Sequence, residues 1–86
     1  MSGQVKFTKY QEDGFSLERG FDLEDNLMLE IYSPKRQAAE PEETQWFWEI
    51  ERLGDKSGNR HGYAPTRIAA IVALGVARRE LVKAKG

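Results

Sequence analysis

One segment of this chain, "TRIAAIVALGVARRELVKA" from Thr66 to Ala84, has helical periodicity over several turns, and the patterned stretches before it alternate as strands do. A chain with one helix to lay on one sheet has few ways to bury apolar surface. This predicts an α+β fold: a small antiparallel sheet of three to five strands packed by one long C-terminal α-helix. Eighty-six residues suffice for one domain, near the lower end of sizes that form a core unaided. Residues 1–86 are therefore read as a single domain, with strands over about 4–64, an exposed loop at 34–44 and the helix at about 66–84.

The strands differ in strength. "VKFTKY" alternates, with Val5 and Phe7 on one side, and the turn at Glu12 to Gly14 follows. "GFSLERGF" is weaker, its apolar anchors being Phe15 and Leu17. In "LMLEIYS", Leu27, Leu29 and Ile31 oppose Met28, Glu30 and Tyr32. In "QWFWEIER", Trp46, Trp48 and Ile50 share one face, and Phe47, Glu49 and Glu51 the other. The first set is the most apolar available to a helix, so both tryptophans are assigned to the core. "RHGYA" returns as a short edge strand, and Thr66 follows Pro65 as a candidate N-cap.

The helix carries two apolar stripes. Ile68, Ile71, Val72, Gly75, Val76 and Val82 form one, expected to pack on the sheet with Gly75 admitting a tryptophan. Ala70, Ala73, Leu74, Ala77 and Leu81 form the other. Leaving Leu74 and Leu81 in water would forgo roughly 1.5–3 kcal/mol each. Three covers compete for that stripe: the chain's own N-terminal strands or 35–44 loop, a second copy, or a different protein. Ala70, Leu74, Ala77 and Leu81 are accordingly candidate interaction residues.

Chemistry-bearing motifs are scarce. With no cysteine, disulfides, thiolate nucleophiles and thiolate metal sites are excluded. The single histidine, His61, lies among "GNRHGY" with no nucleophile and orienting partner proposed by spacing. The chain is expected to be no enzyme, with no catalytic, cofactor-binding or metal-ligating residue. No signal-peptide run opens it, and its longest apolar run falls well short of the roughly 20 residues that span a bilayer. A cytoplasmic location without membrane contact is expected.

The net charge of −1 conceals an asymmetry of −7 through Glu51 and +6 from Arg52 onward. Asp22, Glu24 and Asp25, with Glu40, Glu42 and Glu43, are read as turn and loop carboxylates free to meet a basic protein surface. On the basic side, Lys56, Arg60, His61 and Arg67 could converge around the hairpin and the helix N-terminus on a phosphate backbone. The acidic first half and a pI of about 5.8 oppose that alternative.

The run "WFWEIERLGDKSGNRHGYAPTRIAAIVALGVA" resembles the C-terminal half of small phage and prophage proteins, over about Trp46 to Ala84. Those combine a tryptophan-rich strand, a hairpin return, a G-x-A-x-T lead into the helix and an alanine-rich helix. Some small phage proteins of this size and architecture are anti-CRISPR or other anti-defence inhibitors. The resemblance implies stoichiometric protein binding rather than catalysis and transfers no functional residue. The expected function is non-catalytic protein binding, as a phage-type inhibitor of a host nucleic-acid-handling complex. A small nucleic-acid-binding domain and a structural homodimer are the alternatives.

Overall fold

The computed structural model describes residues 5–54 and 58–85, the side chains of 84 and 85 excepted. Five strands, β1 (Phe7–Glu12), β2 (Phe15–Asp22), β3 (Leu27–Tyr32), β4 (Trp46–Arg52) and β5 (Arg60–Ala64), precede one helix, α1 (Arg67–Lys85). The sheet order is β1-β2-β3-β4-β5 and every pair is antiparallel. This is the α+β architecture expected: each strand pairs antiparallel with the one before it, so no connection has to cross over the sheet. Gly14, at φ 91°, closes the first turn. In the second, Asp22 Oδ1 accepts from the Asp25 amide at 3.1 Å. The β3–β4 connection contains a single 3-10 turn, Pro41–Thr44.

Thr66 caps α1 as its position suggested, its Oγ1 accepting from the Ala69 amide at 3.1 Å. Near the other end, Arg52 of β4 donates to the Leu81 carbonyl at 3.0 Å. The helix lies mainly over β4, with β3 and β5 beside it. Leu27, Leu29 and Ile31 of β3 and Ile50 of β4 are buried beneath it, and Trp46 and Trp48 pack half-buried against the same cluster. Gly62 on β5 makes room for an indole: a Cβ there would stand 2.9 Å from Trp48 Cζ2.

The rotation of α1 is the reverse of that expected. Ala70, Leu74, Ala77 and Leu81 form the buried stripe, each at most 3% exposed. Ile68 and Val72, expected inside, are 73% and 61% exposed, and Ile71, Val76 and Val82 are also exposed. Gly75 touches no tryptophan, since an added Cβ would meet nothing within 4 Å. The cover of Leu74 and Leu81 is intramolecular, but it is β4 with β3 and β5 that supplies it, rather than the N-terminal strands or the 35–44 loop.

The reason lies on β2. Its register sets Glu18, Gly20 and Asp22 opposite Ile31, Leu29 and Leu27, on the helix side of the sheet. Glu18 and Asp22 are both buried. A buried carboxylate without a cation is costly. Arg67 and Arg78 share a side of the helix with Leu74 and Leu81, because separations of 7 and 11 residues return to one side of a 3.6-residue turn. Turning the leucines inward brings both arginines over the two carboxylates. The opposite rotation would bury β-branched side chains but strand Glu18 and Asp22. Phe15 and Leu17, read as anchors of β2, therefore belong to the other face of the sheet.

Candidate functional site on the open sheet face

Among the described residues no element covers the second face, and the strand registers align its side chains in belts running across the sheet. Tyr10, Leu17, Tyr32, Phe47 and Tyr63 are successive cross-strand partners from β1 to β5. All five are apolar or aromatic. Phe15 extends the belt, its ring 6.3 Å from that of Tyr32. Tyr32 and Phe47 lie 5.7 Å apart, and Phe47 and Tyr63 5.1 Å apart, all tilted. These are favourable aromatic geometries, yet Tyr63 remains 50% exposed and Tyr10 43%.

The neighbouring belt is polar throughout: Thr8, Arg19, Glu30, Glu49 and His61. Arg19 donates to Glu30 Oε2 through Nε at 2.8 Å, and its terminal nitrogen lies 2.7 Å from the same oxygen as an ion pair. The Tyr32 hydroxyl donates to Glu30 Oε1 at 3.2 Å. Burial first, then the charge of Glu30 and its hydrogen bond, with Glu49 adding, push the Tyr32 phenol up to about 12. The pKa of Arg19 is raised by its hydrogen bond to Glu30. His61 reaches back to the aromatic belt, its ring 5.9 Å from Phe47.

The 33–45 connection forms a rim. Between it and the belt lies a groove of about 280 Å³ bounded by Phe15, Tyr32, Phe47 and Tyr63, with Glu42 and Glu43 at its edge. Glu43 accepts from Lys35 Nζ at 2.8 Å and from the amides of Ala39 and Glu40 at 2.7 and 3.1 Å. Those bonds, Lys35 foremost, pull its carboxyl down to about 2.

The acidic residues expected in free turns and loops divide between roles. Asp22 is no free loop carboxylate: it ends β2, is 6% exposed and binds Arg78 Nε at 2.8 Å. Burial pushes its carboxyl up, but Arg78 and the Asp25 amide outweigh that and leave it below its ordinary value. Glu24 is exposed and Asp25 half-buried in the β2–β3 turn, away from Glu40, Glu42 and Glu43 on the rim. One surface does not unite all six.

Nor do Arg60, His61 and Arg67 of the phosphate alternative converge. Arg67 grips Glu18 with two hydrogen bonds. Arg60 lies on the helix side of β5, 3.8 Å from Glu80, while His61 lies on the open face. Lys56 falls outside the described residues. Among the described residues no group of three or more His, Cys, Asp or Glu could hold a metal ion, and no helix is long and apolar enough to cross a membrane.

The aromatic belt was missed because each member sits on its strand's second side, where alternation alone suggests solvent. Phe47 between two tryptophans was the one local signal that β4 is apolar on both faces. No family model matches this sequence, and no curated protein and no solved structure matches it.

Proposed function

We propose that this chain is a non-catalytic protein-binding module acting in the cytoplasm through its open sheet face. The aromatic belt from Tyr10 to Tyr63 carries the reading. Tyrosines left half in water, on a rigid sheet and beside a groove, are the side chains that anchor protein interfaces. The carboxylates at the border of this face, Glu51 of β4 and Glu42 on the rim among them, suit a basic partner surface, such as a nucleic-acid-handling protein presents. With the resemblance to small phage proteins, this supports a stoichiometric inhibitor of a host CRISPR or other defence complex.

A second reading draws on the same belt. Exposed rings on a sheet stack single-stranded bases, but the neighbouring carboxylates oppose phosphate.

A photo-crosslinking residue at position 63, compared with one at position 72 on the outer helix face, tests the proposal in cells. Covalent adducts to one protein from position 63 alone are expected. Adducts to nucleic acid would replace the proposal with the second reading. Adducts only from position 72, or only between copies of the chain, would overturn it.

A further inference from the structure

We infer that the groove on the open face takes a proline-rich segment of the partner protein, held as a left-handed polyproline II helix. This rests on the protein-binding reading and names the kind of segment bound. The rings along the groove stand at angles to one another: Phe15 to Tyr32 at 35°, Tyr32 to Phe47 at 53° and Phe47 to Tyr63 at 54°. Parallel rings would offer a flat platform for stacked bases. Tilted ones leave slots between them, and an aromatic-lined groove is the surface on which polyproline II segments dock.

The spacing of the slots fits that helix. One slot lies between Phe15 and Tyr32, whose ring centroids are 6.3 Å apart, and another between Phe47 and Tyr63, at 5.1 Å. Half of each spacing, added to the 5.7 Å from Tyr32 to Phe47, puts the slot centres at most about 11 Å apart, and one three-residue turn of polyproline II advances about 9 Å. Successive ridges of one such helix therefore reach both slots. The groove's volume of about 280 Å³ is small for a pocket that encloses a ligand, and suits side chains seated in it from outside. Polyproline II has no internal hydrogen bonds, so its carbonyls remain free to accept. Among the described residues the Gln45 side-chain amide and the Tyr63 hydroxyl, both bordering the groove, have no hydrogen-bond partner, and both can donate. At the Phe15 end Lys35 completes the wall, its Nζ 5.9 Å from that ring's centroid and bonded to Glu43. An extended β-strand would add to an edge of the sheet instead of this face.

The test titrates the isotope-labelled chain with acetylated decaproline, which adopts polyproline II, and with a Gly-Ser peptide of equal length, which stays a flexible coil. Amide shifts in the nuclear magnetic resonance spectrum report binding. Saturable shifts at Tyr32, Gln45, Phe47 and Tyr63 are expected with decaproline, and binding at least about tenfold weaker with the Gly-Ser peptide. Tyr63→Ala, at an exposed position, removes one wall of a slot and should weaken decaproline binding about tenfold. Tyr63→Phe, which keeps the ring and loses the hydroxyl, should weaken it less. No shift with decaproline, equal binding of the Gly-Ser peptide, or unchanged decaproline affinity in a folded Tyr63→Ala variant would each overturn the inference. The crosslink from position 63 reports on the protein-binding reading separately. An adduct to one protein beside a silent decaproline titration would keep that reading and remove this one. Shifts of the same amides by oligothymidylate, without any by decaproline, would overturn both.

Discussion

Arg67 donates from Nε and from a terminal nitrogen to the two carboxylate oxygens of Glu18, at 2.8 and 2.7 Å, across 49 residues of sequence. That fork joins the first residue of α1 to β2, and the Arg78–Asp22 pair repeats the join further along the helix. Arg67→Ala leaves Glu18 buried without its cation. Because Arg67 is itself half-exposed, water takes up part of the loss. The expected cost is roughly 1–3 kcal/mol, below that of a fully buried pair, read as a lower urea midpoint.

Acid should loosen the same joins. The Arg67 hydrogen bond holds Glu18 below the ordinary carboxylate range, and Asp22 lies low as well. A carboxyl depressed in the folded state adds stability that is present above its unfolded value, about pH 4, and is lost as pH falls through the folded value. Urea midpoints should therefore drop steadily below about pH 4. The drop should be smaller in Arg67→Ala combined with Arg78→Ala.

The rotation of α1 can be read from two truncations. Leu74→Ala removes a buried side chain and should cost about 2–5 kcal/mol. Val72→Ala, on the exposed side, should cost under about 0.5 kcal/mol. Chemical denaturation of both variants checks this, and equal losses would contradict the observed rotation.

Gly62→Ala should be felt at Trp48. The added methyl would lie 2.9–3.1 Å from three indole atoms, Cζ2, Cε2 and Nε1, so the ring must move. A loss of roughly 1–3 kcal/mol is expected, with a changed tryptophan emission spectrum in the folded state.

At high pH one tyrosine should stand apart. Tyr32, with its phenol at about 12, should ionise well above the ordinary tyrosine range in an ultraviolet titration. A raised phenol contributes stability that is present below its unfolded value, about pH 10, and lost as pH rises toward the folded one. Glu30→Gln removes the charge beside it and should bring that titration down.

Local patterning was enough for the class of fold. The alternation of "LMLEIY", the tryptophan side of β4, the cap at Thr66 and the single long apolar helix each express a preference that neighbouring residues decide among themselves. They lead to an antiparallel sheet under one C-terminal helix, as observed. Which side of the helix faces inward was not settled locally, because both sides carry enough apolar residues, and on β2 local preference points the other way, since its apolar side with Phe15, Leu17 and Phe21 lies on the open face. The decision came from Glu18 and Asp22, whose burial demanded Arg67 and Arg78 from 49 and 56 residues away. The aromatic belt has the same origin. Tyr10, Tyr32 and Tyr63 give no signal on their own strands, and only the register, set by all four strand pairings together, puts them in line with Phe47. Period and propensity act over a few residues and are written in the sequence, whereas rotation and register are settled by partners that meet only in the folded chain.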